Sequence, residues 1–117
     1  MIMKHVTIQS RDLDKSVKFY EEICGLQIQA EIRGKGPVDI VFLANGEGET
    51  CIEIIGNKDA AYEGKGISVG FQVPDVKAYH DKLEAEGYEV TGIISPNPVT
   101  EFFFVKDPDG VQIQFIN

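Results

Sequence analysis

In His5-Val6-Thr7-Ile8-Gln9 the apolar residues take the even positions and the polar ones the odd. That is the period of a strand with one face buried. The period then changes. Leu13, Val17, Tyr20 and Cys24 recur at three- and four-residue intervals, with Lys15, Lys18, Glu21 and Glu22 on the other faces, so the spacing predicts a helix over about residues 13–24. Asp12 or Asp14 can cap it, and Gly25 stands where a left-handed C-terminal cap is wanted. Residues 26–32, 39–44 and 50–55 read as strands, the last two joined by Asn45-Gly46, a hairpin turn pair.

After a polar, Gly-bounded stretch from Gly56 to Gly66 the pattern begins again. Ser68-Val69-Gly70-Phe71-Gln72-Val73 alternates, Pro74-Asp75 opens a helix carrying Val76, Tyr79, His80 and Leu83, and Gly87 closes it. Strand-like segments follow at 88–94, 101–105 and 111–116. Asp75 corresponds to Asp12, Gly87 to Gly25, and Gln114 to Glu53. The order and spacing of elements give a duplicated βαβββ unit: module one 1–56, linker 57–66, module two 67–117.

The duplication gives meaning to the polar strand faces. Val6, Ile8, Val69, Phe71 and Val73 are expected under the helices, leaving His5, Thr7, Gln9, Ser68, Gly70 and Gln72 on the opposite faces. In the terminal strands Cys51, Glu53, Gln112 and Gln114 face the same way. Two copies related by a pseudo-twofold would aim His5, Glu53, Ser68 and Gln114 at one cleft. An imidazole and a carboxylate there suit a divalent ion; equally, a half-solvated sheet face is ordinary. Phe102-Phe103-Phe104 must direct either Phe103 alone, or Phe102 and Phe104 together, towards that cleft. His80, between charged neighbours, is expected on the solvated helix surface, and Cys24 in the core.

Composition narrows the function classes without naming one. The 117 residues hold 43% hydrophobic side chains, enough for a single compact domain with its own core. A net charge of −8 argues against nucleic-acid phosphates and anionic membranes as partners. Two cysteines make no disulfide scaffold, and a reduced, cytoplasmic chain is expected.

His5, the run Asp12-Leu13-Asp14-Lys15-Ser16-Val17-Lys18-Phe19-Tyr20 before Gly25-Leu26, and Ile52-Glu53-Ile54 occur in a fixed order. They are followed by Phe71-Gln72-Val73-Pro74-Asp75-Val76 and Asp107-Pro108-Asp109-Gly110-Val111-Gln112-Ile113-Gln114-Phe115. In that order and spacing the chain resembles the vicinal oxygen chelate superfamily, which includes glyoxalase I, bleomycin-resistance proteins and extradiol dioxygenases.

The resemblance implies an α+β fold, two βαβββ modules forming an incomplete mixed β-barrel around a cleft, with helices packed outside. It also implies a homodimer, since short members usually pair. Carried over position by position, His5 matches the first-strand metal ligand and Glu53 the fourth-strand carboxylate. Ser68 stands where the glyoxalase pattern has a second His, and Gln114 where it has a Glu that doubles as catalytic base. Serine is a poor ligand for a divalent ion, and an amide is no general base near neutral pH. Two readings follow. One is a small-molecule binding protein with a degraded metal site, its cleft lined by His5, Thr7, Glu53, Ser68, Gln72 and Gln114. The other is a metal-dependent lyase or isomerase of the lactoylglutathione lyase type. There His5, Glu53 and Gln114 would hold the ion and Glu53 would serve as the catalytic carboxylate. The cofactor is accordingly none, or one divalent ion among Zn, Ni, Mn and Fe.

Overall fold

The computed structural model describes residues 1–117, which form two compact units, Met1–Glu63 and Gly64–Asn117. Unit 1 runs β1 (His5–Ser10), α1 (Leu13–Glu22), β2 (Gln27–Ile32), β3 (Asp39–Ala44) and β4 (Cys51–Gly56). Unit 2 runs β5 (Ser68–Gln72), α2 (Val76–Ala85), β6 (Ile94–Asn97), β7 (Thr100–Lys106) and β8 (Gln112–Ile116). Their sheets have strand orders β1-β4-β3-β2 and β5-β8-β7-β6. In each, the first strand pairs parallel with the last and the other pairings are antiparallel, so both sheets are mixed and open. The fold class is α+β, and the duplicated βαβββ unit is present in full.

Both helices start in the same way. The Asp12 carboxylate accepts the Lys15 amide at 3.1 Å, and the Asp75 carboxylate accepts the Ala78 amide at 2.9 Å. Each offsets one of the unpartnered N–H groups of the first turn. Asp14 is not the cap; it lies in the first turn and binds Arg33 at 2.9 Å. After the helices, Gly25 and Gly87 take φ of +70° and +93°, a region that a side chain at Cβ penalises.

The expected stripe of α1 is buried at Leu13, Val17 and Tyr20, and Phe19 and Ser16 are buried with it. Ser16 escapes a hydrophobicity reading because its hydroxyl meets that of Ser10 at 2.7 Å, joining the end of β1 to α1. Beneath lie Val41, Leu43 and Ile54, all without exposure. In unit 2 the core is Leu83, Phe103, Ile113 and Phe115. Val6, expected inside, remains 38% exposed on the edge strand β1.

Three expectations are corrected. Segment 88–94 is not a strand: it makes a single bridge, Val90 to Val105, and β6 begins only at Ile94. The cause is Thr91, whose hydroxyl takes the Phe104 amide at 2.9 Å in place of a ladder carbonyl. His80 is not a solvated surface residue. Its side chain is 13% exposed, its ring stands edge-on to Phe103 at 5.2 Å, and its nitrogens lie 3.0 Å from Asp81 and from the Thr91 carbonyl. It thus ties α2 to the 88–94 segment. Asp81, bonded to Lys77 and to His80, is held below the usual aspartate range. Cys24 is only half-buried rather than core.

The stretch expected as linker is not featureless. It forms a 3-10 turn at Lys58–Ala60, and the Tyr62 amide donates to the Gln9 carbonyl. Arg11 donates to the Tyr62 carbonyl and pairs with Glu63 at 3.2 Å. No helix is long and apolar enough to cross a membrane.

Candidate functional site

The parallel pairing of β1 with β4 brings the first group of expected residues together. Thr7 stands opposite Glu53 and His5 opposite Cys51, and alternation places their side chains on the face away from α1. The Thr7 hydroxyl donates to Glu53 Oε1 at 2.5 Å, and His5 Nε2 lies 3.5 Å from the same oxygen. Glu53 is largely enclosed, its side chain 12% exposed, while that of His5 is 39% exposed. The imidazole stands edge-on to Phe42, ring centroids 6.1 Å apart, and Phe42 is the β3 partner of Glu53. A carboxylate is therefore fixed on an open sheet face between a hydroxyl, an imidazole and an aromatic ring. Cys51 shares the strand, its thiol directed to the Glu49 carbonyl at 3.6 Å.

Gln9 lies on the same face two residues beyond Thr7, opposite Ile55. Its side-chain oxygen is buried with no hydrogen-bond partner. Its polarity is visible in the sequence; its burial is not, because burial follows from neighbouring strands. An unmatched buried acceptor costs about 1–3 kcal/mol. Gln9→Met, similar in shape, is expected to raise unfolding free energy by about 1 kcal/mol in urea denaturation. It should also weaken any ligand that donates to that oxygen. A fall in stability would contradict this assignment.

In unit 2 the parallel β5–β8 ladder aligns Ser68 with Gln112 and Gly70 with Gln114. Ser68 and Gln72 are exposed, and Gln114 is half-buried beside Phe104, its β7 partner. A Cβ at position 70 would come within 3.2 Å of Gln114 Oε1, so the glycine leaves that amide its place. The choice among the three phenylalanines is settled here. Phe103 is buried against Phe115, and Phe102 and Phe104 share the open face.

As ion donors these residues are sparse. No group of three or more His, Cys, Asp or Glu side chains is placed so that it could hold a metal ion. His5 and Glu53 form the ionisable pair, and the Glu53 oxygen nearest His5 already accepts the Thr7 proton. Ser68 and Gln114 offer neutral oxygens alone.

Comparison with known proteins agrees with this architecture. The profile of the Glyoxalase/Bleomycin resistance protein/Dioxygenase superfamily matches residues 2–115. A probable lactoylglutathione lyase of Vibrio parahaemolyticus is 32% identical over 120 residues, covering 96% of this chain and 87% of its own. The trypanothione-dependent glyoxalase I of Leishmania major superposes with a TM-score of 0.84 at 26% identity, over 100% of this chain and 86% of that one. TnmS3, an antibiotic-binding protein from Streptomyces sp. CB03234, shares the fold at a TM-score of 0.77 and 21% identity, over 98% and 93% of the two chains.

Proposed function

This chain belongs to the Glyoxalase/Bleomycin resistance protein/Dioxygenase superfamily, and on that premise we propose that it binds a small organic molecule on its open sheet faces without a resident metal ion. The observation that carries the reading is the donor set around Glu53. Cys51, opposite His5, turns its thiol to the Glu49 carbonyl, so no third His, Cys, Asp or Glu side chain joins Glu53 and His5 in a group that could hold an ion. Divalent first-row ions are held by imidazole, carboxylate and thiolate groups. Replacing an imidazole by the Ser68 hydroxyl and a carboxylate by the Gln114 amide removes a strong neutral donor and an anionic one. The remaining groups are well suited to hydrogen bonding. On the face of unit 1 Glu53 accepts a ligand donor through Oε2, oriented by Thr7 and His5, and on the face of unit 2 Ser68, Gln72 and Gln114 supply uncharged donors and acceptors.

The lyase reading is favoured by one specific finding, the 32% identity to a probable lactoylglutathione lyase. In it His5, Glu53 and Gln114 would hold the ion, and Glu53 would also have to move the proton. That task falls in the glyoxalase pattern to the Glu at the position of Gln114, whose amide cannot take it. The test has two arms. A thermal-shift screen of small organic compounds in EDTA is expected to yield ligands whose binding is insensitive to the chelator. Lactoylglutathione formation with added Ni or Zn is expected to stay at the uncatalysed rate. Metal-dependent turnover abolished in Glu53→Gln would replace the binding reading with the lyase one. The reading includes a homodimer, for which the edge strand β2, exposed along its whole length, offers an unpaired edge. Sedimentation velocity at two protein concentrations tests it.

A further inference from the structure

On the open face of unit 2, Phe102 and Phe104 stand edge to face with ring centroids 5.7 Å apart. Phe104 and Gln112 are common to two recesses. The smaller, of about 250 Å³, is completed by Gly66, Ile67 and Ser68. The larger, of about 340 Å³, extends past Thr91 towards Glu89 and Lys106. None of the side chains around the smaller recess ionises. Two of its walls are apolar, the Phe104 ring and Ile67, a branched residue left 58% exposed. Its polar groups are a hydroxyl and a primary amide, neighbours across the β5–β8 ladder.

These features select a ligand class. The recess is open to solvent, and a charged group set on it would meet no counter-charge among Ile67, Ser68, Phe104 and Gln112 and gain little there. A flat ring loses little and gains the face of Phe104. A primary amide presents a donor and an acceptor side by side, the complement of an amide or imide edge. We infer that this recess takes a flat, uncharged heteroaromatic compound that stacks on Phe104 and pairs its amide- or imide-like edge with Gln112. The inference rests on the small-molecule reading above and names its ligand class. Ser68 bonds the same edge, and the larger recess receives substituents on the ring.

Lumichrome, an uncharged tricycle with an imide edge, is a suitable probe, and its N3-methyl derivative, with that edge blocked, is the control. Binding to the full chain is read by lumichrome fluorescence and by the side-chain amide resonances of Gln112. Phe104→Ala is expected to weaken binding at least about 10-fold, the scale of one lost stacking contact, and Phe104→Tyr to recover it. N3-methylation is expected to weaken binding to the unaltered chain several-fold but to leave Gln112→Leu unaffected. Amide spectra confirm that each variant remains folded. Equal affinity in Phe104→Ala, or no response of Gln112 at saturating probe, overturns the inference. So does a response of Gln112 to protein concentration instead of probe, which would assign the recess to a second copy of the chain. If lumichrome fails while the EDTA screen still yields ligands, the ligand class alone is wrong. Failure of both removes the small-molecule reading as well.

Discussion

Phe103→Ala is expected to cost about 3–5 kcal/mol of stability, the usual loss for a fully buried aromatic replaced by a methyl group. Phe103 has no exposure, lies 5.4 Å from the Phe115 ring and 6.5 Å from that of Tyr79, and meets His80 edge-on. Removing it opens a cavity beneath α2 and frees the imidazole that ties that helix to Thr91. A domain of this size holds about 5–15 kcal/mol in all, so unit 2 should lose cooperative unfolding or melt far earlier. Phe104→Ala, one residue along but on the open face, should cost much less. Urea denaturation of the two variants side by side checks the face assignment. Equal losses would contradict it.

The second large effect is a gain. Ser68→His combined with Gln114→Glu supplies the imidazole and carboxylate that the glyoxalase pattern has at those positions. The doubly substituted chain is expected to bind Ni or Zn at least about 100-fold more tightly than the unaltered one, since even outer-shell changes alter metal affinity by 10–100-fold. Each substitution alone is expected to bind more weakly than the pair. Calorimetric titration with each ion measures it. No gain would mean that these two positions are not what separates the chain from the glyoxalase pattern.

Much of the fold was legible in local pattern. Residues 39–44 form a strand with the bounds their apolar run predicts, and Asp12, Asp75, Gly25 and Gly87 mark the helix ends through chemistry carried on single residues. The duplication survives low identity because spacing and turn residues, not side-chain detail, define the element order. What escaped depends on contacts between distant segments. Thr91 alters the ladder at 88–94 through its side chain, and His80 is drawn inward by Phe103 and Thr91 despite polar neighbours in sequence. The face of Phe104 was open to two answers until the register with Gln114 decided it. In the candidate site, the His5, Thr7 and Glu53 grouping follows from alternation and strand order. The buried oxygen of Gln9 and the recess at Gln112 do not, since enclosure is a property of neighbouring strands and loops.

The central claim, binding without a resident ion, is tested most directly by metal analysis of the untagged chain, before and after incubation with excess Ni or Zn and gel filtration. The expected result is well below one ion per chain in both samples, with no difference between the unaltered protein and His5→Ala. One tightly held ion per chain, lost in His5→Ala, would contradict the account and establish a metal site built on His5 and Glu53.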